Sequence, residues 1–533
     1  MRHVCAPGSP RSMPATPSIR CGALLCWCAG SAMNVLLVQL SPSRAVWPRG
    51  LFRSAYVPTG LAYLAAAARR AGHKVRVFSR EEQLVKEGLD WARADAGVRA
   101  LLEEFRPGFV GLSATTPGMS EAAALARLVK ATCGADTVVA IGGPHATALP
   151  ERTLAECPEI DVVALGEGEQ TLVELLERGV RDDVAGICFR RSRDAGRPEP
   201  ADGRESDGFV RTAPRAREHD LDALGALPYD LFDMAYYTAR DRWMVRWLPL
   251  RATNLRTSRG CPNVCRFCAG HLVNGLGVRY HSIPYVIEQM RLVVERFGVE
   301  AVQFEDDTVG ASVPRLLELC EAIRRADLAR RVRWEARLRA NQAEPEVLRQ
   351  MKAAGCIQVE FGFESGSDAM LRALNKNTTV EMNLRAARLA HEAGLRIYAN
   401  LMYGLPGETE ADLRASMRLV RQTRPEALAF TRLYPLPGTG IYEGLSEADR
   451  AALRWDDYAY FDGSALPVNI TSMGAKRFAR LCRGLERHWV RPTWTLQLYR
   501  DTPRSDRARR RNLARKLLRF CVLHPVWATR IPW

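Results

Sequence analysis

Cys261-Pro-Asn-Val-Cys265-Arg-Phe-Cys268 sets three cysteines at the spacing C-x3-C-x2-C. An iron–sulfur cubane held wholly by protein takes four thiolates. Three thiolates leave one iron with an open position, and an open position is where a metal site does chemistry. Three unrelated cysteines are one competing reading; a structural zinc knot is another, with His271, two intervening residues after Cys268, as a fourth ligand. Closed zinc sites take four ligands, usually as two pairs. Spacing alone leaves these readings standing, the three-cysteine cluster ahead.

The chain has 533 residues, long enough for two or three domains, and its apolar and charged fractions are those of a globular protein. The net charge of +16 comes mainly from arginine. It reads as solvated faces rather than a nucleic-acid groove, because excess charge by itself reports on solubility and non-specific binding. The chain has 14 cysteines, and those outside the quoted stretch are scattered. Cys188, Cys320 and Cys356 sit in apolar runs and read as small buried hydrophobes. A disulfide framework is not expected in a chain of this size. Residues 1–32 imitate a weak signal peptide, but Met33 is followed at once by a strand pattern. The expectation is an extension upstream of a start at Met33. No apolar run reaches the roughly 18 residues of a membrane span.

From residue 33 to 190, short apolar runs alternate with amphipathic stretches. Strands are expected at Val35–Leu40, Lys74–Phe78, Phe109–Ser113, Thr137–Ile141 and Asp161–Leu165. This alternation implies an α/β domain with a doubly wound parallel, Rossmann-like sheet. Ligands of such sheets bind beyond the strand C-termini. Small and polar residues stand there: Ser41, Ser113, Thr115, Gly142, Gly143, His145, Gly166, Glu167 and Gly168. No GxGxxG or Walker pattern is present, so a nucleotide fold is not supported. Residues 191–245 are rich in Arg, Asp, Pro and Gly and read as a linker.

Between 246 and 445 a strand-then-helix rhythm occurs six times. Strands are expected at Asn254–Thr257, Ala301–Glu305, Val332–Leu338, Ile357–Phe363, Arg396–Met402 and Ala427–Leu433. Ile283, Val286, Ile287, Met290, Val294 and Phe297 form a helical apolar stripe, which is core. Six such units make a partial (β/α)6 TIM-like barrel whose site lies at the C-terminal mouth. The three-cysteine loop follows the first strand and belongs at that mouth. Residues 446–533 read as a small helical region. Its basic run, Arg509-Arg-Arg511 with Arg515, Lys516 and Arg519, reads as a solvated helix. Trp455, Tyr458, Tyr460, Phe461, Trp489 and Trp494 read mostly as core.

On these residues the chain resembles the radical S-adenosylmethionine (SAM) superfamily, whose signature is C-x3-C-x-aromatic-C, with Phe267 as the aromatic. The segments Pro58-Thr-Gly-Leu-Ala-Tyr-Leu-Ala65, Gly142-Gly-Pro-His-Ala-Thr147 and Gly166-Glu-Gly-Glu169 resemble the cobalamin-binding domain that precedes many radical SAM cores. The resemblance implies that Cys261, Cys265 and Cys268 hold a [4Fe–4S] cluster and that SAM chelates the open iron. It implies SAM contacts at Phe267, Glu305, Asp306, Asp307, Arg339, Glu364, Ser365, Gly404 and Pro406. Glu305-Asp306-Asp307 would stand in for the family's Gly-Gly-Glu. Cobalamin contacts fall to the strand-end residues of the N-terminal domain. One departure stands out: the loop Ser41–Gly50 lacks the cobalt-ligating histidine of D-x-H-x-x-G, so no protein imidazole is expected on the lower cobalt face.

The activity so implied is methyl transfer from methylcobalamin and SAM to a carbon of a small-molecule, natural-product substrate, through a 5′-deoxyadenosyl radical. A flavodoxin or ferredoxin would donate electrons, and the oxygen-sensitive cluster implies the cytoplasm. A cobalamin-dependent radical SAM cyclase or ring-rearranging oxidase is the runner-up. A methylthiotransferase is set aside, since Cys133, Cys157 and Cys188 lack loop positions suited to a second cluster. A zinc-stabilised RNA-binding protein is the alternative of another class.

Overall fold

The computed structural model describes residues 20–21, 24–25, 32–42, 44, 56–191, 208–240, 244–246, 248–458, 466–485 and 507–523. Most of the upstream extension, the loop 45–50, and Tyr460, Phe461, Trp489 and Trp494 lie outside the described residues.

The N-terminal sheet is built from β1 (Asn34–Gln39), β2 (Lys74–Ser79), β3 (Phe109–Ser113), β4 (Val138–Gly142), β5 (Val162–Ala164), β6 (Ile187–Arg190) and β7 (Phe209–Arg211), in the order β2-β1-β3-β4-β5-β6-β7. The first five strands pair in parallel, and β6 and β7 add antiparallel. The order reverses between β1 and β3, which makes their C-terminal ends the switch point where such sheets bind ligands. Helix α1 (Thr59–Arg70) runs on from Pro58 and ends at Ala71 before Gly72, whose φ of +88° lets the chain turn back into β2. Its alanine-rich inner side packs on Val35, Leu37 and Val75. The sequence pattern missed β6 and β7, which close the edge of the sheet with a chain return from the span read as linker.

The second sheet has β8 (Ala252–Leu255), β9 (Ala301–Phe304), β10 (Arg333–Leu338), β11 (Cys356–Glu364), β12 (Arg396–Tyr403) and β13 (Ala427–Arg432), parallel throughout and in sequence order. This is the expected open barrel of six βα units. The helix after the cysteine loop, α2 (Ile283–Phe297), starts at Ser282, whose Oγ accepts from the Tyr285 amide at 3.2 Å. It ends at Gly298 in the left-handed region, φ +61°. Val286, Ile287, Met290 and Val293 bury its inner stripe; Ile283, Val294 and Phe297 flank it. Each strand shows two faces. On β10, Trp334, Ala336 and Leu338 pack outward against the helices, so Glu335 and Arg337 turn into the lumen.

Segment 221–238 locks the two sheets together. Leu221, Leu224, Tyr229, Met234 and Tyr237 share one core with Val57, Ala62 and Tyr63 of the first domain and with α2 of the second. Cys188, Cys320 and Cys356 are fully buried, and burial raises their thiol pKa values, to about 12 for Cys188 and Cys320. They are core, as expected. Beyond the barrel the described chain is helical at Glu447–Ala452, Ala475–Leu485 and Arg507–Leu523.

Candidate active site

The loop after β8 carries the three cysteines, and it is held from below by one carboxylate. Asp306 is wholly buried; its Oδ1 accepts from the Thr257 amide at 2.7 Å, and its Oδ2 from Thr257 Oγ1 at 2.5 Å and Ser258 Oγ at 2.6 Å. Burial holds its pKa above the usual carboxylate value. Beyond Ser258 the chain pairs with Arg279–Tyr280 in a short antiparallel ladder. Gly260, φ +93°, lies against the Gly277 carbonyl, which a Cβ would strike. The Arg266 amide bonds the Leu374 carbonyl at 3.0 Å, and Asn375 Nδ2 donates to the Val264 carbonyl at 3.0 Å. The loop is therefore pinned to the C-terminal end of β9 through Asp306 and to the Leu374–Asn375 turn, which ends the helix after β11.

Each cysteine sulfur receives one N–H. Asn263 Nδ2 donates to Cys261, Arg339 Nη1 to Cys265 and the Gly270 amide to Cys268, all at 3.4 Å. Cys265 is buried and Cys268 exposed. Among the described residues no three His, Cys, Asp or Glu side chains close on a single ion, as a zinc knot with His271 requires. A cubane instead gives each thiolate its own iron, so its sulfurs need not converge on one point.

The remaining mouth residues divide into two sets. Asp307 accepts from Asn274 Nδ2 at 3.1 Å and stands against Gly270, beside Cys268. Phe267 packs with Leu374, Leu405 and Ile441, joining the cysteine loop to the Gly404-Leu405-Pro406 turn. That turn is shaped by Glu408, which accepts from the amides of Gly404 at 2.7 Å and Leu405 at 3.3 Å; burial lifts its pKa to about 7. Arg339 is buried beside Cys265, with Nη2 on the Lys376 carbonyl. These groups surround the cluster loop. The others are engaged elsewhere by the protein. Glu305 accepts from Asn254 Nδ2 at 2.9 Å and from Thr59 Oγ1 of α1 at 3.2 Å. Glu364, φ +59°, is paired with Lys376 Nζ at 2.7 Å, and Ser365 Oγ meets Ser416 Oγ at 3.2 Å.

Opposite this mouth stand the strand ends of the first domain. A cavity of about 200 Å³ opens there, with Leu37, Leu61, Leu64 and Leu172 as an apolar wall and Ser113, Gly142, Gly143, Gly166, Glu167 and Gly168 along its rim. Arg256, Arg259, Val273 and Asn274 of the barrel complete it, so the cavity belongs to both domains. Gly143, φ +108°, needs to be glycine because a Cβ would lie 2.5 Å from the Ala114 carbonyl. A Cβ at Gly142 or Gly166 would meet nothing closer than 3.8 Å, leaving bare backbone for a ligand to approach. Ser41 Oγ, buried at the end of β1, has no partner among the described residues. Thr115, two residues past the end of β3, is exposed.

Ions join the halves. Arg259 is buried between Glu167 Oε1 at 3.2 Å and Glu169 Oε1 at 2.7 Å, and Arg279 donates to Glu167 at 2.6 Å. Sequence reasoning singled out neither arginine. His145 lies outside the cavity. Its Nδ1 is 3.2 Å from Thr116 Oγ1, its ring meets Trp455 edge-on at 4.5 Å, and burial lowers its pKa to about 4. No histidine lines the cavity among the described residues.

Residues 51–176 match the model of the B12 binding domain, and residues 255–420 match that of the radical SAM superfamily. The chain is 30% identical over 436 residues to an uncharacterized methyltransferase of Pyrococcus horikoshii, covering 81% of this chain and 87% of that protein. The chain belongs to the cobalamin-dependent radical SAM family. A second relative of this radical SAM enzyme is the anaerobic magnesium-protoporphyrin IX monomethyl ester cyclase of Cereibacter sphaeroides, 25% identical over 73% of this chain and 60% of the cyclase. The solved cobalamin-dependent SAM radical enzyme OxsB, with aqua-cobalamin and SAM bound, shares the fold: TM-score 0.65 at 15% identity, over 92% of this chain and 71% of OxsB.

The cofactors of the family are a [4Fe–4S] cluster, SAM and cobalamin, and the residues present fit them. Three hydrogen-bonded sulfurs on a pinned loop suit a cluster with one open iron. An apolar wall under a polar, glycine-lined rim suits a flat heterocycle that carries amide groups.

Proposed function

We propose that this radical SAM enzyme moves a methyl group to a carbon of a small-molecule substrate, with residues Cys261, Cys265 and Cys268 holding the cluster. The observation that carries the proposal is the placement of Arg259. It stands two residues before Cys261 and is clamped by Glu167 and Glu169 of the cavity rim. The cluster loop and the first domain's ligand cavity are thus held mouth to mouth.

When bound, the cluster and SAM supply a carbon-centred radical and the corrinoid supplies a transferable methyl group. The chain's own residues orient and shield. Arg339 fixes the Cys265 sulfur. Asp307, next to Cys268, offers a carboxylate to a cationic group at the mouth. The Gly404–Pro406 turn, drawn tight by Glu408, presents backbone beside Phe267. The rim residues Ser113, Gly142, Gly143, Gly166, Glu167 and Gly168 would receive the corrinoid. Flavodoxin or ferredoxin would supply the electron. Among the described residues, no helix is long and apolar enough to cross a membrane.

The test is anaerobic reconstitution with iron, sulfide and methylcobalamin, followed by reaction with SAM labelled in its methyl group. The expected result is 5′-deoxyadenosine together with a product heavier by one labelled methyl. A cyclase or ring-rearranging oxidase is the second reading, favoured by the likeness to the Cereibacter cyclase. It would give 5′-deoxyadenosine and a product without label. Formation of neither would sink both.

A further inference from the structure

Barrel interiors are normally packed with branched apolar side chains; this lumen is charged. Inward positions recur every second residue along each strand, so the lumen is built in layers. In the lower layer Gln303 and Gln358 both donate to Glu335, whose pKa burial raises to about 8. Gln358 Oε1 in turn accepts from Arg396 Nε at 3.2 Å.

The next layer toward the mouth contains Asn254, Glu305, Arg337, Glu360 and Asn400. Both Glu360 oxygens are used: Oε1 accepts from Asn400 Nδ2 at 2.6 Å and Oε2 from Arg337 Nε at 2.9 Å. Glu360 is thereby fixed, and it fixes the guanidinium plane of Arg337. Among the described residues neither terminal nitrogen of Arg337 donates a hydrogen bond. Its side chain keeps 36% exposure, against 10% for Glu360, so the free edge of the fork opens into the lumen. Arg337 lies on the same strand face as Arg339, which touches Cys265, and about 6.6 Å below it. A guanidinium held at Nε with both Nη groups free matches the two oxygens of a carboxylate or phosphate.

We propose that Arg337 anchors an anionic group, carboxylate or phosphate, of the substrate, so that the reacting carbon faces the cysteine loop. This deepens the proposed function and rests on it for the word substrate, but the anion site itself does not need the radical chemistry. An anionic substrate would be gripped at one end by a fork and aimed with its other end at the mouth. A neutral substrate would leave Arg337 unmatched.

The test is crystallographic, on the full chain, with anomalous scatterers as probes. Selenate stands for a tetrahedral phosphate and 4-bromobenzoate for a carboxylate. The expected result is an anomalous peak in the lumen that puts selenate oxygens, or the benzoate carboxylate with its bromine a ring's length away, within hydrogen-bond distance of both Arg337 Nη atoms; the peak is lost in Arg337→Gln and kept, weaker, in Arg337→Lys. Should Arg337→Gln not fold with Glu360 left unpaired, Arg337→Gln with Glu360→Gln removes both charges and must lose the peak as well. A selenate peak assigns a phosphate and a bromine peak a carboxylate. Peaks confined to surface arginines, or a lumen peak that survives Arg337→Gln, would overturn the proposal. Formation of 5′-deoxyadenosine by the wild-type enzyme is scored separately. Its absence would remove the proposed chemistry and leave the anion site standing.

Discussion

Arg339 Nη1 lies 3.4 Å from Cys265 Sγ, while Nη2 of the same guanidinium donates to the Lys376 carbonyl. One planar group thus couples the cluster loop to the chain that follows β11. Cluster potentials depend on charge and on hydrogen bonds to sulfur. A positive donor on a thiolate stabilises the more negative, reduced state.

Arg339→Leu is therefore expected to shift the reduction potential of the reconstituted cluster to more negative values, and Arg339→Lys to shift it less. Iron content should stay near wild type, since all three thiolates remain. A redox titration followed by electron paramagnetic resonance reads the shift directly. An unchanged potential in Arg339→Leu would show that the contact carries no electronic weight.

Asp306 makes a different claim, one about folding. Its three hydrogen bonds hold the Thr257–Ser258 corner from below, and Arg315 Nη2 adds one to the Thr257 carbonyl at 3.3 Å. Asp306→Ala leaves a buried amide and two hydroxyls without an acceptor, at a cost of about 3 kcal/mol. Urea unfolding under argon should show a lower midpoint, and cluster assembly should fail in proportion. Wild-type stability in the alanine variant would contradict the role.

The sequence made much of the site legible, and what it hid has a physical cause. Cys261, Cys265 and Cys268 were readable because ligand spacing is local, and Gly143 and Gly404 because a positive φ is local. The acids Glu305, Asp306 and Asp307 read as one group, yet they have three partners: Asn254 with Thr59, the Thr257–Ser258 corner, and Asn274. Neighbouring residues at a strand end point in different directions, and their partners come from distant parts of the chain. His145 looked like a rim residue. Its ring is covered by Trp455, more than three hundred positions later, a contact that no local pattern announces. Arg337 carried a usable signal that went unread: in Arg333-Trp-Glu-Ala-Arg-Leu338 every charge falls on alternate residues, which marks a polar lumen face.

The clamp around Arg259 predicts a loss of cofactor along with stability. In Arg259→Met, Glu167 keeps Arg279 but Glu169 is left buried without its cation. Breaking one side of a buried ion pair costs about 3–5 kcal/mol. Because the pair spans the two domains, the cavity they share should loosen. Corrinoid carried through gel filtration, read by its visible absorbance, is expected to fall well below wild type. Full retention would mean that the clamp does not set the cavity.

Acid should open the same interface through His281. This ring is buried, with Nδ1 at 2.9 Å from Asp222 and Nε2 at 3.0 Å from the Tyr63 hydroxyl of α1, and it stacks on Tyr285. Burial lowers its pKa to about 4, against 6.5 for the free side chain. As pH falls below 6.5 the unfolded chain takes the proton first, so stability declines from pH 6.5 down to about 4 and levels off below. A displacement of that size corresponds to about 3 kcal/mol. His145, also lowered to about 4 by burial, adds a second decline over the same window. His281→Gln should be less stable than wild type at neutral pH, since it loses the bond to Asp222 or to Tyr63, yet its stability should fall less steeply between pH 6.5 and 4. Adding His145→Phe should flatten the profile further. Denaturant midpoints measured across that range decide the matter: parallel profiles for wild type and His281→Gln would show that the imidazole titrates alike in the folded and unfolded chain.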